Sequence, residues 1–392
     1  MKMTPYMVHI HEDDIQELKR RLERTRWPDE LPGANWDYGI PLSFMKDMIA
    51  YWKEEFDWRA VERRINSFSN YIATIDGMDI HFIYEKGSGP NSIPIMIPHG
   101  WPSTFFEMLD LIPYLAHPDR YGGDAALSFD VIVPSLPGHG FSGIPGKPGF
   151  EDRQAANLLV KLMRGLGYEQ FGAHGYDLGA SVLGLLCLDH PECVIGYHTT
   201  SPGNPSPFLA KDAQLSEAEQ AFLACSEQWY REEGGYAHIL GTKPQTAAYA
   251  LHDSPAGLAA FILEKWHYWT GPASGDLLRH FSKEELLANV SIYWFTQTIN
   301  AANRYYYEGK HVRWPGPDEV CLVPHGVALT ATQPHERPPR EYVERLFPNI
   351  LQWEELHAGG HFVALEHPQR VAGQIRSFFA RLRLPGAIRR ND

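Results

Sequence analysis

The run from 171 to 188 allows few folds. Phe171, Gly172, Ala173, His174 and Gly175 read as a short strand and Val182–Leu188 as an apolar helix, which leaves a sharp turn between them. Small residues at Gly175, Gly179 and Ala180 let strand and helix come close while the side chain between them, Asp177, is pushed up out of the turn. An aspartate there sets a reaction class. With a reference pKa of about 3.9 the carboxylate is ionised at neutral pH, so it attacks an electrophilic carbon without first losing a proton to a base. It would alkylate itself and give an ester.

The rest of the chain supplies a context for that turn. Ile15, Leu18 and Leu22 predict an opening helix that stops at Trp27 and Pro28; Phe44, Met48, Ile49, Trp52 and Phe56 predict a second whose aromatic face needs a partner. From Ser67 onward, strands are expected at Asn70–Ile75, Met78–Tyr84, Ile93–Pro98, Phe129–Pro134, Gln170–Tyr176 and Val194–Thr200. Helical stretches such as Phe105–Leu115 and Arg153–Leu166 fall between them. Helices alone follow to about residue 310, among them Ser216–Glu233 and Ala256–Trp269; then come strands Glu319–Pro324 and Ile350–His357 and a closing helix Arg370–Arg383. The pattern predicts an α/β-hydrolase fold: a mostly parallel eight-stranded sheet, a helical lid inserted after strand 6, and an N-terminal helical meander. The expected division is meander 1–66, core 67–205, lid 206–310 and core again 311–392.

Composition narrows the partners. The formal charge of −13, from 35 basic and 48 acidic residues, disfavours nucleic acid and gives no reason to expect an anionic membrane surface. The start of the chain has no apolar run long enough for a signal peptide, and no segment approaches a bilayer span of about 20 apolar residues, so a cytoplasmic protein is expected. Cys187, Cys193, Cys225 and Cys321 form no C-x-x-C pair and read as apolar thiols; the 19 histidines contain no H-E-x-x-H spacing, so neither a metal nor another cofactor is expected.

Three further segments complete a site. The strand Ile93–Pro98 runs into His99, Gly100, Trp101 and Pro102, a loop that in this architecture lies beside the turn; the N–H groups of Trp101 and Leu178 would form an oxyanion hole. His361, after Gly359 and Gly360, follows the last strand and is placed to activate water over Asp177. His357 is the nearest competitor and is expected to be packed at the strand end.

On HGWP, PSLPGHGFSG (134–143), the Asp177 turn, GGYAHILGTKPQT (234–246), HDSPAGLAAFILEKW (252–266) and GGHF (359–362), the chain resembles a bacterial member of the microsomal-type epoxide hydrolases over essentially its full length. The resemblance implies that Tyr236 and Tyr306 grip the epoxide oxygen, with Tyr305 and Tyr307 as flanking alternatives. A phenol suits the task because, with a pKa near 10, it stays protonated yet surrenders its proton as charge develops. The family's charge-relay acid would fall at Gln333, an amide; Glu336, three residues on, is the alternative acid. The expected partners are an apolar epoxide and water, with a homodimer left open. Two other readings share the aspartate: a haloalkane or haloacid dehalogenase, and a catalytically impaired binder of apolar molecules.

Overall fold

The computed structural model of the chain describes residues 1–202, 213–271, 276–313, 316, 319–332, 335 and 337–382. The strands are β1 (Lys2–Pro5), β2 (Asn70–Ile75), β3 (Met78–Glu85), β4 (Ile93–Met96), β5 (Phe129–Pro134), β6 (Phe171–Gly175), β7 (Val194–Thr199), β8 (His325–Leu329) and β9 (Ile350–Glu355). They form one sheet in the order β1-β2-β3-β5-β4-β6-β7-β8-β9, parallel from β5 to β9 and antiparallel at the β1-β2-β3 end. Every residue of β4, β5, β6 and β8 is buried, as a sheet covered on both faces requires. Alternation sorts the side chains. Ile93, Ile95, Val131 and Val133 face one core, while Met96 and Ile132 face another built with Leu159 of the helix Asp152–Gly165 and Leu183 of the helix Asp177–Asp189.

The sheet has nine strands rather than eight. Lys2–Pro5 is exposed along its whole length, so it carries no hydrophobic signal; it is held by backbone pairing to β2 and precedes the helix Glu12–Glu23 that was expected to open the chain. A second correction concerns β8, which lies at His325–Leu329 and not at Glu319–Pro324. Cys321 and Val323 are buried and Val320 and Leu322 exposed, so the earlier stretch alternates like a strand. It joins the protein through single contacts instead: Cys321 N–H donates to the Leu346 carbonyl at 2.7 Å, and the Pro324 carbonyl accepts from Tyr197 N–H at 2.9 Å. The helix expected over Phe105–Leu115 is divided into a 3₁₀ turn Phe105–Met108 and a short helix Leu111–Ala116.

The helices between β7 and β8 are Glu217–Glu233, Gly235–Leu240, Pro244–Asp253, Pro255–Thr270, Lys283–Thr296 and Ile299–Glu308; Glu12–Glu23 and Leu42–Glu54 find their partner surface on Pro255–Thr270 and Lys283–Thr296, and Trp58 of the helix Trp58–Asn66 packs on Phe295. Ile15, Leu18, Leu22, Met48 and Trp52 are buried there. The Trp52 indole N–H donates to Ser291 Oγ at 3.0 Å, and Arg21 pairs with Asp253 at 3.0 Å. Because Trp52 is 1% exposed, Trp52→Ala should cost about 3–5 kcal/mol through its cavity and the stranded Ser291 hydroxyl. Urea unfolding checks this; a loss below about 1 kcal/mol would mean that the contact is not a packing anchor.

No helix among the described residues is long and apolar enough to cross a membrane. Nor do the described residues contain a group of three or more His, Cys, Asp or Glu able to hold a metal ion.

Candidate active site

Asp177 stands at the end of β6 as the first residue of the helix Asp177–Asp189, with φ +50°, a left-handed backbone that a non-glycine residue adopts only when its surroundings enforce it. The enforcement is local crowding: a Cβ on Gly179 would lie 2.6 Å from the Pro98 carbonyl oxygen, so only glycine lets the helix sit this close to the end of β4. The helix N-terminus also favours a negative charge at Asp177.

Trp101 N–H donates to Asp177 Oδ1 at 2.7 Å, which brings the HGWP loop against the carboxylate. That loop is clamped from three sides. His99 Nε2 accepts from Leu136 N–H at 3.2 Å, so Nδ1 carries the proton and donates to the Gly100 carbonyl at 2.8 Å. Burial lowers the His99 pKa to about 4, which keeps this ring neutral and structural. Asn289 donates to the Pro102 carbonyl at 2.8 Å, and the Trp101 indole N–H to Asn303 Oδ1 at 3.2 Å; the Trp101–Pro102 peptide is cis. Leu178 turns its side chain toward the second core.

His361 comes from the loop after β9. Its Nε2 lies 3.4 Å from Asp177 Oδ2, and its backbone N–H donates to the Trp269 carbonyl at 2.9 Å. Two glycines make the loop possible. Gly359 has φ +73°, and a Cβ on Gly360 would meet the Thr270 carbonyl oxygen at 2.4 Å. His357, expected to be packed, is instead exposed, with φ +53°: the chain turns there toward solvent before entering the site. Gln333 and Glu336 lie outside the described residues.

The two tyrosines arrive from different helices and meet. Tyr236, on Gly235–Leu240, stacks on Trp101 with ring centroids 5.3 Å apart, and Tyr306, on Ile299–Glu308, meets Trp101 edge-on at 5.1 Å and Tyr236 at 5.5 Å. Burial, then the neighbouring Tyr236 and Asp177, push the Tyr306 pKa well above its usual value, so this phenol is a donor and not an anion at neutral pH. The flanking residues go elsewhere. Tyr305 is buried and donates to the Pro137 carbonyl at 3.1 Å, while Tyr307 is exposed. Trp269, Phe261 and the two tyrosines surround the Trp101 ring and give the site an aromatic wall.

Sequence reasoning passed over three residues here. Glu107 is 1% exposed, and its Oε2 is hydrogen-bonded to the Tyr176 hydroxyl. The Tyr176 ring meets His361 edge-on at 5.3 Å. Lys265 Nζ lies 4.8 Å over the Tyr236 ring. The one available signal was an acid inside the apolar run Phe105, Phe106, Glu107, Met108, Leu109, since buried carboxylates are rare without a task.

Known proteins match this chain over nearly its whole length. A family model described as epoxide hydrolase N terminus matches residues 3–108, and one described as alpha/beta hydrolase fold matches 93–234. A protein of Stigmatella aurantiaca is 37% identical, covering 97% of this chain and 86% of its own. Epoxide hydrolase 1 of Oryctolagus cuniculus is 33% identical, over 96% of this chain and 88% of that protein. Among solved structures, juvenile hormone epoxide hydrolase from the silkworm Bombyx mori superposes with TM-score 0.84 at 28% identity, covering 97% of this chain and 94% of that one. Aspergillus niger epoxide hydrolase superposes with TM-score 0.83 at 27% identity, over 97% of each chain. An ionisable residue in a left-handed turn, a histidine across from it and a full-length match to these enzymes have one reading: the chain belongs to the epoxide hydrolase family of the α/β-hydrolase superfamily.

Proposed function

We propose that the protein converts an apolar epoxide and water to a vicinal diol, without a cofactor, through a covalent ester on Asp177. The observation that carries this is one carboxylate facing three functions: Trp101 N–H at Oδ1, His361 at Oδ2, and the paired Tyr236 and Tyr306 phenols beside Trp101. One Asp177 oxygen attacks a ring carbon and the carbon–oxygen bond of the epoxide breaks. The departing oxygen takes a proton from a tyrosine, which leaves a hydroxyalkyl ester. Water then adds to the ester carbonyl as His361 removes its proton; Trp101 N–H, with Leu178 N–H, stabilises the oxyanion, collapse frees the diol, and the proton on His361 returns to the tyrosinate. Glu336 is our choice for the acid that orients His361, with Gln333 as the competing occupant of that place.

The aromatic wall favours apolar, aryl-bearing epoxides, with the helices between β7 and β8 acting as a lid. A dehalogenase needs side-chain N–H donors for the departing halide. The Trp101 indole N–H is already given to Asn303, and the residue after Asp177 is Leu178, so neither of these positions supplies such a donor.

Labelled water tests the scheme. In a single turnover in oxygen-18 water with enzyme in excess, the diol should carry unlabelled oxygen from Asp177, and the label should appear in the enzyme. Label in the first-turnover diol would mean direct attack by water and would overturn the covalent route.

A further inference from the structure

The peptide between Gly100 and Trp101 is the hinge of this site, because its N–H holds Asp177 while its carbonyl faces away into the protein. That carbonyl accepts two hydrogen bonds, from His99 Nδ1–H at 2.8 Å and from the Ser103 hydroxyl at 3.1 Å. Hydrogen bonds in a chain polarise one another, so donors on a carbonyl make the N–H of the same peptide a stronger donor in turn. His99 is a fixed contributor, locked in one tautomer by Leu136 N–H.

Ser103 is not fixed. Its Oγ lies 2.5 Å from the Tyr176 hydroxyl, which in turn is hydrogen-bonded to Glu107 Oε2. Two hydroxyls, those of Tyr176 and Ser103, thus lie between a buried acid and the Gly100 carbonyl, and each has one proton to give. With Glu107 protonated, the line has one direction: Glu107 donates to Tyr176, Tyr176 to Ser103, and Ser103 to Gly100. With Glu107 ionised, Tyr176 must donate to the carboxylate, and Ser103 divides its proton between Tyr176 and Gly100.

Two features bring the protonated form within reach at neutral pH. Glu107 Oε1 is buried with no hydrogen-bond partner among the described residues, a costly place for an anion's second oxygen. Burial raises the Glu107 pKa to about 7, with Asp177 pushing the same way and Tyr176, Ser103 and His361 opposing.

We propose that Glu107 is a positioning residue for the oxyanion site, a buried acid that acts through Tyr176 and Ser103 to polarise the Gly100–Trp101 peptide against Asp177. The effect should fall on one half of the reaction. In ester formation Asp177 gives up its negative charge, and a stronger donor at Oδ1 offers no gain. During ester hydrolysis the carbonyl oxygen becomes an oxyanion, and there a stronger Trp101 N–H lowers the barrier. The proposal rests on the covalent reading given above.

Rapid-quench mass spectrometry of the full chain with styrene oxide separates the two steps, by following the ester on Asp177 as it forms and decays. Tyr176→Phe, Ser103→Ala and Glu107→Met each cut the relay and should slow ester decay about three- to ten-fold, the size of one hydrogen bond, while ester formation is not slowed. Glu107→Gln should restore decay to within about two-fold of wild type, since its amide N–H donates to Tyr176 as the protonated acid does. A purely structural role would depress both steps together and would not distinguish Gln from Met. Equal slowing of both steps, or Glu107→Gln no better than Glu107→Met, overturns the proposal while leaving the covalent route standing. Failure of the wild type to form any ester on Asp177 overturns both.

Discussion

Asp177→Asn should lose diol formation by a factor on the order of 10⁴ or more, because an amide oxygen carries no negative charge with which to open the ring. The fold should survive. The side chains are nearly isosteric, asparagine tolerates the left-handed backbone at φ +50°, and Trp101 N–H can still donate to the amide oxygen. Asp177→Ser should fail as well, although serine fills this turn in many related folds, since a hydroxyl must first be deprotonated and His361 would have to serve both halves of the reaction. The measurement is multiple-turnover diol production by a variant whose urea midpoint matches wild type. Full turnover by the folded Asp177→Asn protein would remove the carboxylate from the mechanism.

Much of this site was legible because the turn that presents Asp177 is built from residue types with few other uses. Gly175, Gly179 and Ala180 around a single acid announce a close strand–helix approach, and the structure supplies the reason in the 2.6 Å clash that a Cβ at Gly179 would suffer. Gly359 and Gly360 ahead of His361 announce a tight loop in the same way. What local pattern could not resolve was choice among neighbours. Tyr305, Tyr306 and Tyr307 are equivalent as letters; the packing of Ile299–Glu308 against the rest of the protein sends one to the core, one to Trp101 and one to solvent. The strand errors share a cause. Val320 and Leu322 alternate with Cys321 and Val323 as strand residues do, yet ladder pairing begins only after Pro324; Lys2–Pro5 pairs through its backbone without burying a side chain. Hydrophobic period reports burial, and neither case is decided by burial. Glu107 escaped notice for a different reason: its partners Ser103 and Tyr176 come from separate loops, and only the folded chain puts them in line.

His361→Gln should leave ring opening nearly intact and stop the reaction at the ester. Opening needs only the Asp177 anion and the tyrosine donors, whereas hydrolysis needs a base for water, a contribution of about 10²–10⁴. An adduct of enzyme plus epoxide should therefore accumulate to one per chain within the first turnover and persist, with peptide mapping placing it on Asp177. The glutamine amide keeps a polar group near Oδ2, where the imidazole approaches to 3.4 Å in the native chain, so what the variant loses is a base and not a packing contact. The same assay assigns the third member of the triad. If Glu336 orients and charges His361, Glu336→Gln should slow adduct decay and spare its formation, and Gln333→Glu should change little. If Gln333 holds the acid's place with no carboxylate behind it, Gln333→Glu should speed decay and Glu336→Gln should be silent. An amide in that place still orients the ring but cannot stabilise the imidazolium that forms when water gives up its proton, so the cost would appear in the rate of decay and not in the yield of adduct. No adduct in His361→Gln, with ring opening lost as well, would show that His361 acts before the ester exists and that its role as base for the second step alone is drawn wrongly.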